Sequence, residues 1–596
     1  MSLINPVEII NEYVNPDVDE WRRKENANSL GVTLSGMDKY IAEKTTAEYW
    51  LTKVYTEKQS QMHRDATISV NDLGSLSSYC AGWNLQEFLQ EGLGGVPTRI
   101  TSNPPRHLQS AIDQLSNFLG LVSVEHAGAQ AVNSFDTFMA PFIRKDNTSD
   151  AEIKQCLQSF IYNCNLCSRS GGQSPFINTS FDVRVPDDLK DQNPIIDDEV
   201  MDFTYGDLQP EVDRINIIFN KIMIEGDKDG RPFTFPIPTY SIVDDFDWDS
   251  EVSDLIFTSA AKYGYPYFQN FLNSDMKPSD VRSMCCRLRL DLNEVRKHTN
   301  TSLFGAADST GSIGVVTINM ARLGYKHQGD MQGLINELDE ILNESADMLD
   351  RKRKVIVKLF DQGFYPYTKH YLKSFDTFFS TIGVNGMNEM VANYSNGEYN
   401  ITDPRGHDEV NYVLDHILSR MPELQNRYGN LMNLEAVPAE SKCYIFAKED
   451  KKRYPDIITA GSGENIYYTN SSHIPVGYTK DIFETLDLSD ESQCKYTGGT
   501  VIHAYTNDSI TDKEQAKNLV KTICENYKLP FISITPTYII CENCGYIDGD
   551  HNECPKCGNT DIECFTRVMG YLRSTSSFNK GKVGEYKDRQ YYDLSA

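Results

Sequence analysis

The sequence predicts an α/β protein that ends in a small cysteine-rich module. Strand-like and helix-like segments alternate until about residue 535. The run 311–325 is β-branched and apolar on both faces, as a strand buried on two sides should be. From Cys541 onward the chain becomes glycine-rich and dense in cysteine, too short to build a large core of its own.

In chain order, residues 1–60 look helical, with apolar side chains at helical spacing over 37–58. Residues 66–80 read as an extended segment leading to Cys80, and 106–145 as mainly helical. A strand is expected over 173–185, after Gly171-Gly172. Beyond the strand at 311–325, residues 333–360 have the stripe of an amphipathic helix. The final stretch from Arg567 is rich in Gly, Ser, Lys and Tyr and reads as a loop whose basic residues, Arg573, Lys580, Lys582, Lys587 and Arg589, are solvated. These textures divide the chain into a helical segment (1–60), a large α/β domain (61–535), a four-cysteine ribbon (536–566) and a tail (567–596).

At 596 residues with 40% hydrophobic and 24% charged residues, the composition is that of a globular protein with a large core. No apolar run is long enough to span a bilayer. The first residues carry Asp, Glu and Arg where a secretion signal needs an apolar run, so a cytoplasmic location without membrane attachment is expected. The net charge of −28 excludes non-specific nucleic-acid binding, which needs a basic stripe to release counterions. It does not exclude a small nucleotide, held in a local pocket of Arg, Lys and helix N-termini.

Fourteen cysteines suggest metal and thiol chemistry rather than a disulfide framework. Cys541-x-x-Cys544 and Cys554-x-x-Cys557 are two knuckles, each able to aim two sulfurs at one ion, and together they suit a closed structural zinc site. His551 and Cys564 are spare ligands, whereas the isolated Cys164-x-x-Cys167 pair reads as packing. Immediately after the knuckles stands Arg567-Val568-Met569-Gly570-Tyr571-Leu572. By spacing alone Gly570 is a turn glycine, and Cys80 and Cys286 are buried core thiols.

The run around Gly570 resembles the C-terminal motif of glycyl-radical enzymes, and the zinc knuckles ahead of it narrow the likeness to the anaerobic (class III) ribonucleotide reductases. Further landmarks in family order extend the likeness from about residue 65 to the chain end. They are the segment around Cys80, Ser170-Gly171-Gly172-Gln173-Ser174-Pro175-Phe176, the block 283–291 with Cys285-Cys286, the strand 311–319, and Thr469-Asn470-Ser471-Ser472-His473. The resemblance implies a ten-stranded α/β barrel of two five-stranded halves, with the glycine loop and the cysteine loop both reaching into it. It implies reduction of ribonucleoside triphosphates by a radical stored on Gly570 and passed to Cys286, with Cys285 as the alternative. The thiyl takes the 3′-hydrogen, the 2′-hydroxyl leaves as water, and Cys80 supplies a hydrogen.

The same resemblance implies a homodimer, deoxynucleotide and ATP effectors, and a separate radical S-adenosylmethionine activase, since this chain has no Cys-x-x-x-Cys-x-x-Cys motif of its own. Ser471, Ser472 and His473 are candidates to line the triphosphate pocket, with Gly498 and Gly499 approaching phosphates through their N–H groups. A plain turn explains that glycine pair as well.

Two departures from the family pattern stand out. The barrel-like pattern starts too early for an N-terminal ATP-sensing cone, so none is expected. Ser312 stands where formate-using members carry Asn, and a Cys-Cys doublet replaces their Gly-Cys, so a thioredoxin- or glutaredoxin-type donor is preferred to formate, with Met320 as a helper. A pyruvate formate-lyase relative is the nearest alternative, invited by the cysteine doublet. A zinc-ribbon interaction protein without chemistry is the more distant one.

Overall fold

A computed structural model of the chain describes residues 5–15, 33–166, 169, 173–276, 309–506, 512–567 and 570–593. A short strand, β1 (Ile68–Val70), leads in. The first five barrel strands are β2 (Cys80–Trp83), β3 (Gln130–Val132), β4 (Ile177–Phe181) and, beyond a small hairpin of β5 (Ile195–Ile196) and β6 (Glu199–Val200), β7 (Ile237–Ile242) and β8 (Tyr267–Asn270). They lie parallel, each beside the next. The second five are β9 (Gly311–Asn319), β10 (Phe378–Asn385), β11 (Met432–Glu435), β12 (Ile502–Thr506) and β13 (Phe531–Pro536).

Within this second half β9, β10 and β11 run parallel, as do β12 and β13. The halves meet antiparallel, β2 against β9 and β8 against β13. Between β11 and β12 the barrel closes through the glycine pair: the Gly498 N–H donates to the Leu434 carbonyl (2.6 Å) and the Ala436 N–H to the Gly499 carbonyl (2.9 Å). The two edge strands, β11 and β12, are thus bridged by the glycine segment and not paired directly, which completes a barrel of two halves of five strands each.

Every residue of β9 and β10 is buried, because helices cover the outside while the opposite halves face one another across the interior. The helix Met331–Asp361 is the longest cover. Its Leu334, Leu338, Leu342 and Leu349 pack with Val316 and Ile318 of β9, and Asp330 caps its first turn by accepting from the Gly333 N–H (2.9 Å).

Several expectations change in detail. The extended reading of 66–80 resolves into β1, a turn, and β2 beginning at Cys80. Within 106–145 the helices Leu108–Val122 and Phe135–Asp146 flank β3, whose three residues are too few to register against a helical background. The strand at 311–325 stops at Asn319, whose side chain caps the helix Met320–Lys326. The tail is not a loop: it forms β17 (Leu572–Ser574) and the helix Lys580–Asp588. No helix among the described residues is long and apolar enough to cross a membrane.

At the closing seam, a Cβ on Gly498 would lie 2.9 Å from the Leu434 carbonyl oxygen and 3.0 Å from Glu435 Cβ. Gly498→Ala is expected to cost about 1–3 kcal/mol, the usual range for overpacking, seen as a lower Tm with unchanged secondary structure.

Candidate active site

Alternation decides which strand residues face inward. Trp83 packs edge-on against Phe118 of an outer helix (5.0 Å), which turns Cys80 and Gly82 inward. Phe268 stacks on Phe257 (5.2 Å), turning Tyr267 and Gln269 inward. The interior so defined is polar. Asn178 donates to Thr239 Oγ1 (3.1 Å), His503 Nδ1 lies 2.7 Å from Ser533 Oγ, and Ser312 Oγ lies 2.9 Å from Thr381 Oγ1.

Cys80 pairs directly opposite Ser312 across the β2–β9 junction, and both are buried. The two residues singled out at the start of each half-barrel are therefore neighbours. Met320, by contrast, packs in the apolar cluster behind the barrel with Leu323 and Leu334, too far into the outer layer to assist Cys80. Cys285 and Cys286 lie outside the described residues, as do residues 170–172. Their chain leaves after Met276, beyond the C-terminal end of β8, and returns through Ser309 into β9.

Gly570 enters from the opposite end of β8. Its carbonyl oxygen accepts from Tyr267 Oη (2.7 Å) and from the Arg567 guanidinium (3.1 Å). Tyr571 donates to Glu440 Oε2 (2.8 Å), and Arg573 to Glu440 Oε1 (2.9 Å), beyond the C-terminal end of β11. β8 is four residues long, so about 10 Å of strand separates Tyr267 from Asn270 at its other end.

The strand that delivers Gly570 belongs to a small sheet of β14 (Tyr538–Cys541), β15 (Gly545–Asp548), β16 (Ile562–Arg567) and β17. The four knuckle sulfurs, of Cys541, Cys544, Cys554 and Cys557, lie within 4.8 Å of one another. Cys541 Sγ and Cys557 Sγ are 3.7 Å apart. Bonds of ~2.3 Å from a tetrahedral zinc ion place sulfurs ~3.8 Å apart, so the donor set fits that ion. Each knuckle is followed by a glycine of positive φ, Gly545 (70°) and Gly558 (69°), which turns the chain back. A minimal core of Ile539 and Ile547 surrounds the sulfurs. The spare ligands are engaged elsewhere: His551 Nε2 lies 2.8 Å from the Asp548 carbonyl, and Cys564 contacts Tyr586 and Asp550. Cys164 is buried in the helix Asp150–Asn165, and its thiol is pushed up by burial, in keeping with packing; Cys167 lies outside the described residues.

The two candidate phosphate segments do come together. Thr500 bonds to Gln493, which donates to Ser472 Oγ (3.2 Å), and His473 Nε2 lies 3.1 Å from the Val501 carbonyl. Their polar groups are engaged within the protein, however. Ser471 Oγ donates to Tyr496 Oη (2.9 Å), Tyr496 donates to Ser472 Oγ (2.8 Å), and the N–H groups of Gly498 and Gly499 donate to the Leu434 and Tyr496 carbonyls. The glycine pair builds the barrel seam instead of presenting free N–H groups to a phosphate. Ser471 holds a left-handed φ of 47°, a conformation non-glycine residues adopt only where the surroundings impose it.

Sequence reasoning missed a set of inward polar groups. Both amide atoms of Asn133, Nε2 of Gln269, Nδ2 of Asn385 and Oδ1 of Asn433 are buried without a hydrogen-bond partner among the described residues. Buried polar atoms are rarely left so, and amides on otherwise buried strands were the available signal. A cleft of about 680 Å³ is lined by Tyr79, the residue before Cys80, together with His126, Arg169 and Gln173. That volume lies within the ~300–1,000 Å³ typical of ligand sites.

The expected solvated tail is mostly buried. Lys582, Glu585 and Arg589 are each at most 6% exposed. Lys582 pairs with Glu585, and Arg589 donates to Glu585 Oε1 (3.1 Å) and to the Arg567 carbonyl (3.1 Å) while stacking on Tyr505 (4.0 Å). Arg573 is buried against Glu440, which leaves Lys587 as the exposed member and Lys580 paired with Glu464 at the surface. The tail helix therefore ties itself to the strand carrying Gly570. Burial alone would raise the Glu585 carboxyl, but Lys582 and Arg589 outweigh it and hold the group below the ordinary carboxylate range.

A family model described as anaerobic ribonucleoside-triphosphate reductase matches residues 25–592. The anaerobic ribonucleoside-triphosphate reductase of Escherichia coli K12 is 22% identical, over 95% of this chain and 82% of that protein. That of enterobacteria phage T4 is also 22% identical, over 88% and 90%. The crystal structure of the anaerobic ribonucleotide reductase from Thermotoga maritima in complex with dATP and CTP superposes with a TM-score of 0.74 at 20% identity, covering 97% of this chain and 96% of that one.

Glu585→Gln leaves two buried cations short of a partner and is expected to cost about 3–5 kcal/mol. The carboxylate's contribution is present above its unfolded pKa and is lost as pH falls through the lower folded value. Denaturant melts across an acid pH series should therefore show a flatter acid limb in the variant.

Proposed function

The chain belongs to the anaerobic ribonucleoside-triphosphate reductase family, an oxidoreductase family, and from that premise we propose that it stores its radical on Gly570 and uses it through Cys286. The observation that carries the proposal is the docking of Gly570 on Tyr267, an inward residue of the barrel interior that also holds Cys80. Both rival readings, a pyruvate formate-lyase relative and a ribbon protein without chemistry, yield to the family assignment.

In this reading the barrel excludes water and oxygen from a reactive intermediate. The unpaired electron passes from Gly570 to the Cys286 sulfur as that thiol gives up its hydrogen atom to the glycine. The thiyl takes the 3′-hydrogen of the ribose, and the 2′-hydroxyl leaves as water. Cys80, opposite Ser312, gives one hydrogen atom to C2′. An external donor supplies the second electron and proton to the sugar and re-reduces Cys80, and Cys286 returns its hydrogen to C3′, which regenerates the thiyl. With Ser312 bonded to Thr381 and no amide at its position, a thioredoxin- or glutaredoxin-type thiol donor is favoured over formate. The unpartnered amides of Asn133, Gln269 and Asn433 are the type of group that would hold ribose hydroxyls.

The cleft lined by Tyr79 is of a size to admit a nucleotide, and Ser471, Ser472 and His473 remain candidates for the substrate wall. Likeness to the Thermotoga structure with dATP and CTP supports nucleotide effectors and substrates here too. A structural zinc ion fits the four-cysteine cluster. A homodimer, a cytoplasmic setting and a separate activase that uses S-adenosylmethionine complete the proposal.

Incubated anaerobically with such an activase, the chain should give a doublet paramagnetic resonance signal and reduce ribonucleoside triphosphates. Gly570→Ala should lose both, and Cys286→Ala should keep the doublet but lose turnover. Retained turnover in Cys286→Ala would reject that sulfur. Chelation should release one zinc per chain and make 538–567 protease-sensitive while the barrel's circular dichroism persists.

A further inference from the structure

We propose that Tyr267 and Arg567 are positioning residues that clamp the Gly570 carbonyl, fixing this glycine in the barrel and stabilising an unpaired electron on its Cα. The inference rests on the reading that Gly570 carries the radical.

Glycine offers no side chain to grip, so its backbone groups are the only polar handles beside the reactive carbon, and the carbonyl is the one held here. Two buried donors hold it. Tyr267 Oη lies 2.7 Å away and the Arg567 guanidinium nitrogen 3.1 Å, with Tyr267 2% and Arg567 1% exposed. The same guanidinium nitrogen donates to Tyr267 Oη (2.8 Å). The phenol oxygen thus accepts from arginine, which directs its own hydrogen to the glycine carbonyl. The other terminal nitrogen is bonded to the Gly264 carbonyl, and the guanidinium lies over the Tyr267 ring at 4.5 Å. The donors are set before any radical forms, and Arg589 in turn holds the Arg567 carbonyl.

The electronic consequence follows from the chemistry of such a centre. An electron on a glycine Cα is delocalised toward the amide nitrogen on one side and the carbonyl on the other. Hydrogen bonds to the carbonyl oxygen, one of them charge-assisted, strengthen the accepting side. They do so in a dry interior where each counts for more than in water. Spin density should move from Cα toward the carbonyl, and the radical should persist longer.

The test compares activated wild-type protein with Tyr267→Phe, Arg567→Lys and Arg567→Gln. In wild type, electron–nuclear double resonance in D2O should detect exchangeable deuterons coupled to the radical. Tyr267→Phe should remove one such coupling, widen the doublet, shift the high-field g-values and shorten the radical's half-life several-fold. Arg567→Gln should do likewise, and Arg567→Lys should recover part of the effect. A clamp that only holds structure would lower Tm without moving spectrum or lifetime, and that result overturns the proposal. If the variants fold poorly, the wild-type D2O spectrum still decides, and absence of exchangeable coupling overturns it. Absence of any doublet in activated wild type is a different outcome, which rejects Gly570 as the radical site and the clamp with it.

Discussion

Arg567 is the side chain on which this architecture turns. A guanidinium 1% exposed must find partners for its donors, because an uncompensated buried charge costs several kcal/mol. Here the partners include the Gly570 carbonyl, the Tyr267 hydroxyl and the Gly264 carbonyl, groups from the glycine loop and from the start of β8. Satisfying the charge and seating the glycine are one event. The loop cannot slide along the barrel mouth without leaving the cation unpaired, so its position is set by electrostatics and not by loop packing alone.

The same logic extends outward in two directions. On one side the Arg567 carbonyl is held by Arg589, which is neutralised by Glu585 together with Lys582. On the other, the four sulfurs stiffen the turns of a sheet whose β16 ends at Arg567. The ribbon is too small to be rigid by hydrophobic burial, with Ile539 and Ile547 as its principal apolar members. A metal held by the four thiolates would supply that stiffness to β16, which leads to Gly570, although the cluster itself touches neither Gly570 nor Cys80 among the described contacts.

Much of this was legible in the sequence because it is encoded locally. Cys-x-x-Cys spacing fixes two sulfurs within one turn, and the β-branched run at 311–319, with apolar residues on both faces, marks a strand covered on both sides. The helix 331–361 announces itself by its stripe. What stayed hidden depends on long-range partners. Gly498 and Gly499 look like a phosphate loop until Leu434 and Ala436 are seen to use them as a seam. Lys582 and Arg589 look solvated because composition does not reveal Glu585 and Tyr505 beside them. β3 was invisible because three residues between two helices carry no period.

The polar interior gives the reason why a closed barrel suits such a site. In an open sheet, inward amides such as Asn133 and Gln269 would meet water and need no other partner. Closure through the Gly498–Gly499 seam and the two antiparallel junctions shields those amide atoms from bulk solvent. The amides are then left to bind whatever polar molecule enters, with interactions strengthened by the low dielectric. Shielding from bulk solvent, which the proposed glycyl radical would need, is thus the same physical condition that leaves the interior amides free to take a polar ligand. A barrel that leaked would lose protection and recognition together.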